Sequence, residues 1–238
     1  MIHPLSRSRS GIHYLTLFIL GAVLAGATEL SYGGWIQIPI LSVIWWQLTL
    51  ENHSSAKHQF LSGLIFGLGY FVIGLWWIYI SLHDVGGMNA ALSCMAVFLL
   101  SAYMALYFAL AILTLTLLHK SRFTGLFLAA SWVVMEFLRG YIFTGFPWMG
   151  LAESQVNGPF SVIAPYFGGL ACTFLVVFTS WQILQLKKDP IVSTLTLIFV
   201  LVLTALSSLW SFTKPIGAPL RVELIQGNFA QSLIFKPE

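Results

Sequence analysis

Residues 89–118 read NAALSCMAVFLLSAYMALYFALAILTLTLL, a run with no Asp, Glu, Lys or Arg. A helix crosses roughly 30 Å of hydrocarbon with about 20 apolar residues. This run is long enough to cross at a tilt, or to begin with an interfacial turn. Working outward, apolar stretches at 13–32, 35–50, 59–82, 124–138, 160–186 and 190–210 repeat the pattern. The stretches at 35–50 and 124–138 are short for a crossing. The spacing predicts an α-helical polytopic membrane protein with about seven transmembrane helices.

Composition agrees. The chain is 58% hydrophobic and 8% charged, whereas soluble domains run near 45–50% and 25%. So few charges do not cover a water-facing surface, which makes lipid the main solvent. An aromatic share of 15% suits two headgroup belts. There is no basic stripe, so nucleic acid is not an expected partner. Cys94 and Cys172 lie far apart inside apolar runs, which gives neither a disulfide framework nor metal spacing. No metal or cofactor is expected. His3, His13, His53, His58, His83 and His119 lack ligand spacing and mostly flank the spans, where an interfacial place is expected. Arg7 and Arg9 before an apolar run imitate a signal peptide, but no convincing cleavage site follows Thr28-Glu29, so a retained first helix is expected.

Lys and Arg orient the spans. With the N-terminus in the cytoplasm, Arg7, Arg9, Lys57, Lys120, Arg122, Lys187 and Lys188 lie inside, and Arg139, Lys214, Arg221 and Lys236 outside. Seven spans then deliver the C-terminus to the outer face. The one substantial outer connection, 139–159, reads RGYIFTGFPWMGLAESQVNGP. Its Gly and Pro residues predict a series of turns. After Trp210 the character changes: Lys214, Pro215, Gly217 and Pro219 form a linker, and Arg221-Val-Glu-Leu-Ile-Gln resembles a short strand ended by Gly227-Asn228. A lone strand is unstable and requires a partner.

Charge at membrane depth is costly, which singles out a few positions. Glu136 and Arg139 stand at i and i+3 at the end of the fifth span, on one helix face and within pairing range. Glu29 ends the first span and Glu153 sits in the outer loop. One reading is structural: interface residues, with pairing to offset desolvation. The other is functional: an aromatic wall at Phe146-Pro147-Trp148 beside Glu136 and Arg139, admitting a lipid chain with its headgroup. No nucleophile stands out. Ser131, Ser154 and Ser161 have no base nearby in sequence.

Several of these stretches resemble bacterial apolipoprotein N-acyltransferases. Glu136-Phe-Leu-Arg-Gly-Tyr-Ile-Phe-Thr-Gly-Phe-Pro-Trp, then Ser154-Gln155 and Gly158-Pro159, resembles that family's outer loop. Trp77-Ile-Tyr-Ile-Ser with Gly86-Gly87-Met88 is similar to the end of its third span. Leu224-Ile-Gln-Gly-Asn-Phe-Ala-Gln-Ser-Leu looks like the first strand and turn of its nitrilase-like domain.

The resemblance implies transmembrane residues 1–212, then a linker and the start of a periplasmic αββα nitrilase-like domain, 213–238, not completed. It implies an inner-membrane enzyme moving an acyl chain from phospholipid to the N-terminal diacylglyceryl-cysteine of a lipoprotein, by way of an acyl-Cys. The family's catalytic Glu, Lys and Cys fall beyond residue 238, so no catalytic residue maps here, and the chain is expected to be shortened and inactive alone. Candidate substrate-binding residues are Glu136, Arg139, Phe146, Trp148 and Phe235. Phe235 stands where many members carry a Trp, so an aromatic face is kept and an indole N–H lost. The alternatives are a non-enzymatic scaffold or transporter, or half of a split enzyme completed by a separate nitrilase-like chain. Few charges lie mid-bilayer, which counts against ion-coupled transport.

Overall fold

Backbone hydrogen bonds have no water partner in hydrocarbon, so helices satisfy them internally. Each of the seven apolar stretches is helical in a computed structural model, which describes residues 4–50, 55–118, 121–210, 213–214 and 216–228. The helices are α1 (Pro4–Thr28), α2 (Gly33–Thr49), α3 (Ala56–Gly74), α4 (Trp76–Ile80), α5 (Ala90–Ile112), α6 (Thr114–Leu117), α7 (Thr124–Arg139), α8 (Ala164–Gln185) and α9 (Pro190–Ser208). Four helical stretches, in α1, α5–α6, the segment Ser161–Gln185 and α9, are long and apolar enough to cross a membrane. A fifth is added if α3 and the α4 segment, bent by 50° about Leu75, form one span. The α4 segment ends in a π-helical turn, Ser81–Val85.

α1, α3 and α5 pack side by side. Small residues let their backbones approach, the usual device where lipid supplies no hydrophobic drive between helices. Gly63 and Gly67 of α3, one turn apart, lie against Ala109 and Ala105 of α5, and Gly21 of α1 faces the backbone of Phe66 and Tyr70. α7 and α2 pack on α8. Trp45 Nε1 donates to Ser180 Oγ at 2.7 Å and Ser42 Oγ to the Ser180 carbonyl at 2.8 Å. Between the helices lies an aromatic core: Phe108 meets Trp132 at 4.3 Å and Phe71 at 4.9 Å, and Trp45 meets Trp132 edge-on at 5.6 Å between centroids.

One expectation needs correction, and one histidine is more enclosed than a span-flanking residue need be. His13 is 5% exposed, with Nε2 3.1 Å from Ser62 Oγ and Nδ1 3.1 Å from Gln47 Nε2. An imidazole with a partner on each nitrogen is cheap to bury. His3, His53 and His119 lie outside the described residues. Residues 221–228 form no strand among the described residues; they are exposed and without regular structure, and a strand sequence needs a partner strand to become one.

Candidate functional site

The connection between α7 and α8 folds back as a set of tight turns over the end of the bundle that holds α4. Gln155 is the peg that holds it. It is 1% exposed; its Nε2 donates to the Gly34 carbonyl at 2.9 Å and to Gln37 Oε1 at 3.2 Å, and its Oε1 accepts from the Phe160 N–H at 3.2 Å. Gln37 Nε2 donates in turn to Ser154 Oγ at 2.8 Å, and Trp35 Nε1 to the Asn157 carbonyl at 3.1 Å. The loop is thereby fastened to the start of α2, more than a hundred residues away in sequence. Gln155→Ala strands a buried carbonyl and a buried N–H at about 1–3 kcal/mol each. Faster proteolysis and amide exchange across 142–160 are expected; exchange unchanged from wild type would show that the peg is dispensable.

Nearer α7, the turn 148–151 hangs from side chains of two helices and of the loop itself. Arg139 Nη1 donates to the Trp148 carbonyl. The Tyr70 hydroxyl of α3 donates to the Met149 carbonyl at 3.1 Å. Glu153 accepts from the N–H groups of Met149 and Gly150, each at 3.2 Å. Glu136 accepts from the Leu151 N–H and from Thr173 Oγ1 of α8 at 3.0 Å. One helical turn beyond Tyr70, the absence of a side chain at Gly74 makes room for the Met149 thioether. Met149 itself has φ 65°, and Phe143 and Thr144 have φ 53° and 72°. Left-handed backbone costs a non-glycine residue about 1 kcal/mol or more, and persists only where its surroundings over-determine it.

Glu136 and Arg139 are therefore brought to one turn but not to each other. They form no ion pair: Glu136 reaches α8 and Leu151, Arg139 reaches Trp148. The pairing expected from i,i+3 spacing is replaced by two separate grips on the loop, because tertiary partners outbid a surface-type pair worth a few tenths of a kcal/mol. Arg139 is 1% exposed, its guanidinium 5.3 Å from the Phe71 ring centroid, and its Nε and Nη2 have no partner among the described residues. Such a buried cation retains donors for another acceptor.

The candidate aromatics gather beside it. Trp148 lies 5.1 Å from Phe146 and 5.9 Å from Trp77 between centroids, which joins the loop to the α4 segment. Trp148 is exposed and Phe146 half-buried. On the far side of Phe146 a cavity of about 390 Å³ is lined by Leu100, Tyr103 and Met104 of α5 and by 142–146 of the loop. Phe235 lies outside the described residues. Gln155, Gln37, Tyr70 and Thr173 were not legible as site residues; only the Ser154-Gln155 pair within the quoted motif pointed at one of them. The serines are occupied in ordinary bonds, Ser131 to the Ala111 carbonyl at 3.5 Å and Ser161 to Gly158 at 3.2 Å. Cys172 is buried against the Phe160 carbonyl at 3.3 Å. Among the described residues no three His, Cys, Asp or Glu side chains gather as a metal site would need.

Residues 20–182 match the model of the apolipoprotein N-acyltransferase N-terminal domain. The chain belongs to that family. It is 31% identical to the apolipoprotein N-acyltransferase of Pasteurella multocida, over all of this chain and 47% of that protein. It is 32% identical to the Shewanella oneidensis enzyme over the same shares, 100% and 47%. To the Haemophilus influenzae enzyme it is 37% identical, over 80% of this chain and 38% of the relative. The chain thus spans about half the length of the curated relatives it matches. The matched segment includes the whole of the suspended loop, so this membrane protein shares with its family the part of the molecule that the strained turns occupy.

Proposed function

We propose that the chain is the membrane half of an acyltransferase that moves an acyl group from a phospholipid to the N-terminal cysteine of a diacylated lipoprotein. The family match over 20–182 carries this reading. The suspended loop supports it: Arg139 holds the Trp148 carbonyl, Phe146 and Trp148 offer apolar cover for the chain, and Glu136 holds their common turn. Such a division, mostly apolar with few convergent polar groups, is how small-molecule sites gain orientation and affinity together. Phe235 belongs to the same proposal as the tail's aromatic contribution.

The proposed topology has seven spans in the bacterial inner membrane, the N-terminus cytoplasmic and the C-terminus periplasmic. α2 and α7, with 17 and 16 residues, extend roughly 25 Å at 1.5 Å per residue. They cross with help from the packed loop 139–159. Residues 1–212 form this membrane domain, and 213–238 lead into a nitrilase-like domain. Nucleophile, base and oxyanion partner come from that domain, in a ping-pong sequence through an acyl-Cys.

The test uses residues 1–228 fused to the C-terminal half of the Pasteurella multocida relative. N-acylation of a diacylated lipopeptide is expected from the fusion and none from residues 1–238 alone. Turnover by 1–238, or an inactive but folded fusion, would contradict the proposal.

A further inference from the structure

Among the described residues, the end of the bundle opposite the suspended loop is left open. A cavity of about 1290 Å³ lies between the ends of α2, α6, α7, α8 and α9, larger than the roughly 300–1,000 Å³ of small-molecule sites. Its rim carries Arg122 and Lys188 against one carboxylate, Asp189, all three exposed. Arg122 rests its guanidinium 4.8 Å from the ring centroid of Phe123. Below the rim, Gln182 and Gln185 offer amides, and Leu126, Phe178 and Val192 make an apolar wall.

The cavity has a side entrance. α9 packs on α8 and on the turn Ser161–Ile163, and Tyr166 Oη donates to the Trp210 carbonyl at 2.6 Å. Both ties to the turn and to Trp210 lie at the far end of α9. At the near end Leu126 of α7 and Val192 of α9 both line the cavity and are exposed.

We propose that this cavity binds an anionic phospholipid of the adjacent leaflet, its phosphate between Arg122 and Lys188 and one acyl chain along Leu126, Phe178 and Val192. Among the described lining residues, two cations and one anion leave a net positive rim. A basic residue at the membrane surface favours anionic lipid by about 1 kcal/mol. A soluble phosphate would use the rim but leave the apolar wall wet, whereas a lipid covers both. The inference requires only that the bundle sits in a bilayer; it is independent of acyl transfer at the opposite end.

The experiment is native mass spectrometry of the full chain released from mixed micelles of equimolar phosphatidylglycerol and phosphatidylcholine. The wild type is expected to retain phosphatidylglycerol at least about tenfold over phosphatidylcholine. Arg122→Gln and Lys188→Gln each lower that ratio by about fivefold, and Asp189→Asn raises it by about fivefold. These side chains are exposed, and Asp189 makes no side-chain cap bond to α9, so the variants keep the fold. Thr196→Trp narrows the apolar part of the cavity without changing charge and is expected to lower retention of both lipids. Lys214→Gln with Arg221→Gln, outside the cavity, leaves the ratio unchanged. Equal retention of both lipids overturns the proposal, as does an equal drop in the Lys214/Arg221 variant, an unmoved ratio in the Arg122, Lys188 and Asp189 variants, or displacement of the lipid by millimolar glycerol phosphate.

Discussion

In the fusion described above, Arg139→Ala is expected to lower kcat/KM for phospholipid by about 30-fold while thermal stability changes little. The guanidinium is 1% exposed and donates to the Trp148 carbonyl, a charge-assisted bond worth about 1.5–3 kcal/mol when lost. Losing about 2 kcal/mol of turn stability releases the strained Met149 conformation and lets Trp148 leave Phe146 and Trp77. Each 1.4 kcal/mol is tenfold in rate. Global stability is spared because the same substitution removes a buried cation whose Nε and Nη2 have no partner, so the cost of desolvating it disappears. Arg139→Lys retains the charge and one donor but not the planar fork, and an intermediate rate is expected. Unchanged kinetics together with lost expression would assign Arg139 to folding alone and remove it from the proposed site.

The largest effect on stability is expected from Gly21→Leu. A Cβ at Gly21 would stand 2.2 Å from the Phe66 carbonyl oxygen and 2.8 Å from the Tyr70 nitrogen. Both are backbone atoms of α3, so no rotamer change relieves the clash and α1 must move away. Overpacking typically costs about 1–3 kcal/mol; separating a whole helix pair takes it to about 4 kcal/mol, the exceptional range. At about 2–4 °C per kcal/mol for a chain of this size, Tm in detergent is expected to fall by roughly 10 °C. Gly26→Leu is the control on the same helix, because a Cβ there meets nothing within 4 Å; its Tm is expected to stay within about 2 °C. Equal Tm values for the two variants would refute close α1–α3 packing.

Both predictions depend on contacts that differ in how far the sequence discloses them. Helical apolar stretches were legible because a hydrocarbon solvent demands long apolar runs, and 89–118 announces itself by length alone; four of them, or five with the bent pair, are long and apolar enough to cross a membrane. The 50° bend at Leu75 was not legible: WWIY carries no Pro, and the apolar run continues through it. Spacing put Glu136 and Arg139 on one face of α7, correctly, and suggested that they pair. Their true partners, Thr173 and Trp148, come from another helix and from a returning loop. Gln155 reads as an ordinary polar loop residue, yet burial and three bonds make it the loop's anchor. The tail at 221–228 has the alternation of a strand, but alternation creates a strand only where another one is available.

By itself the sequence determined the solvent, the helices, the basic and aromatic ends of the bundle, and the family resemblance. Each follows from composition or from local periodicity, which act on residues close along the chain. Only the tertiary structure decided that the turn 148–151 hangs from Tyr70, Glu136, Arg139 and Glu153, that Met149 is held at φ 65°, and that a cationic cavity opens at the other end. The Tyr70–Met149 grip joins residues 79 apart, and the cavity gathers lining residues from Leu48 to Thr196. Close packing selects such pairings from many that local pattern allows equally.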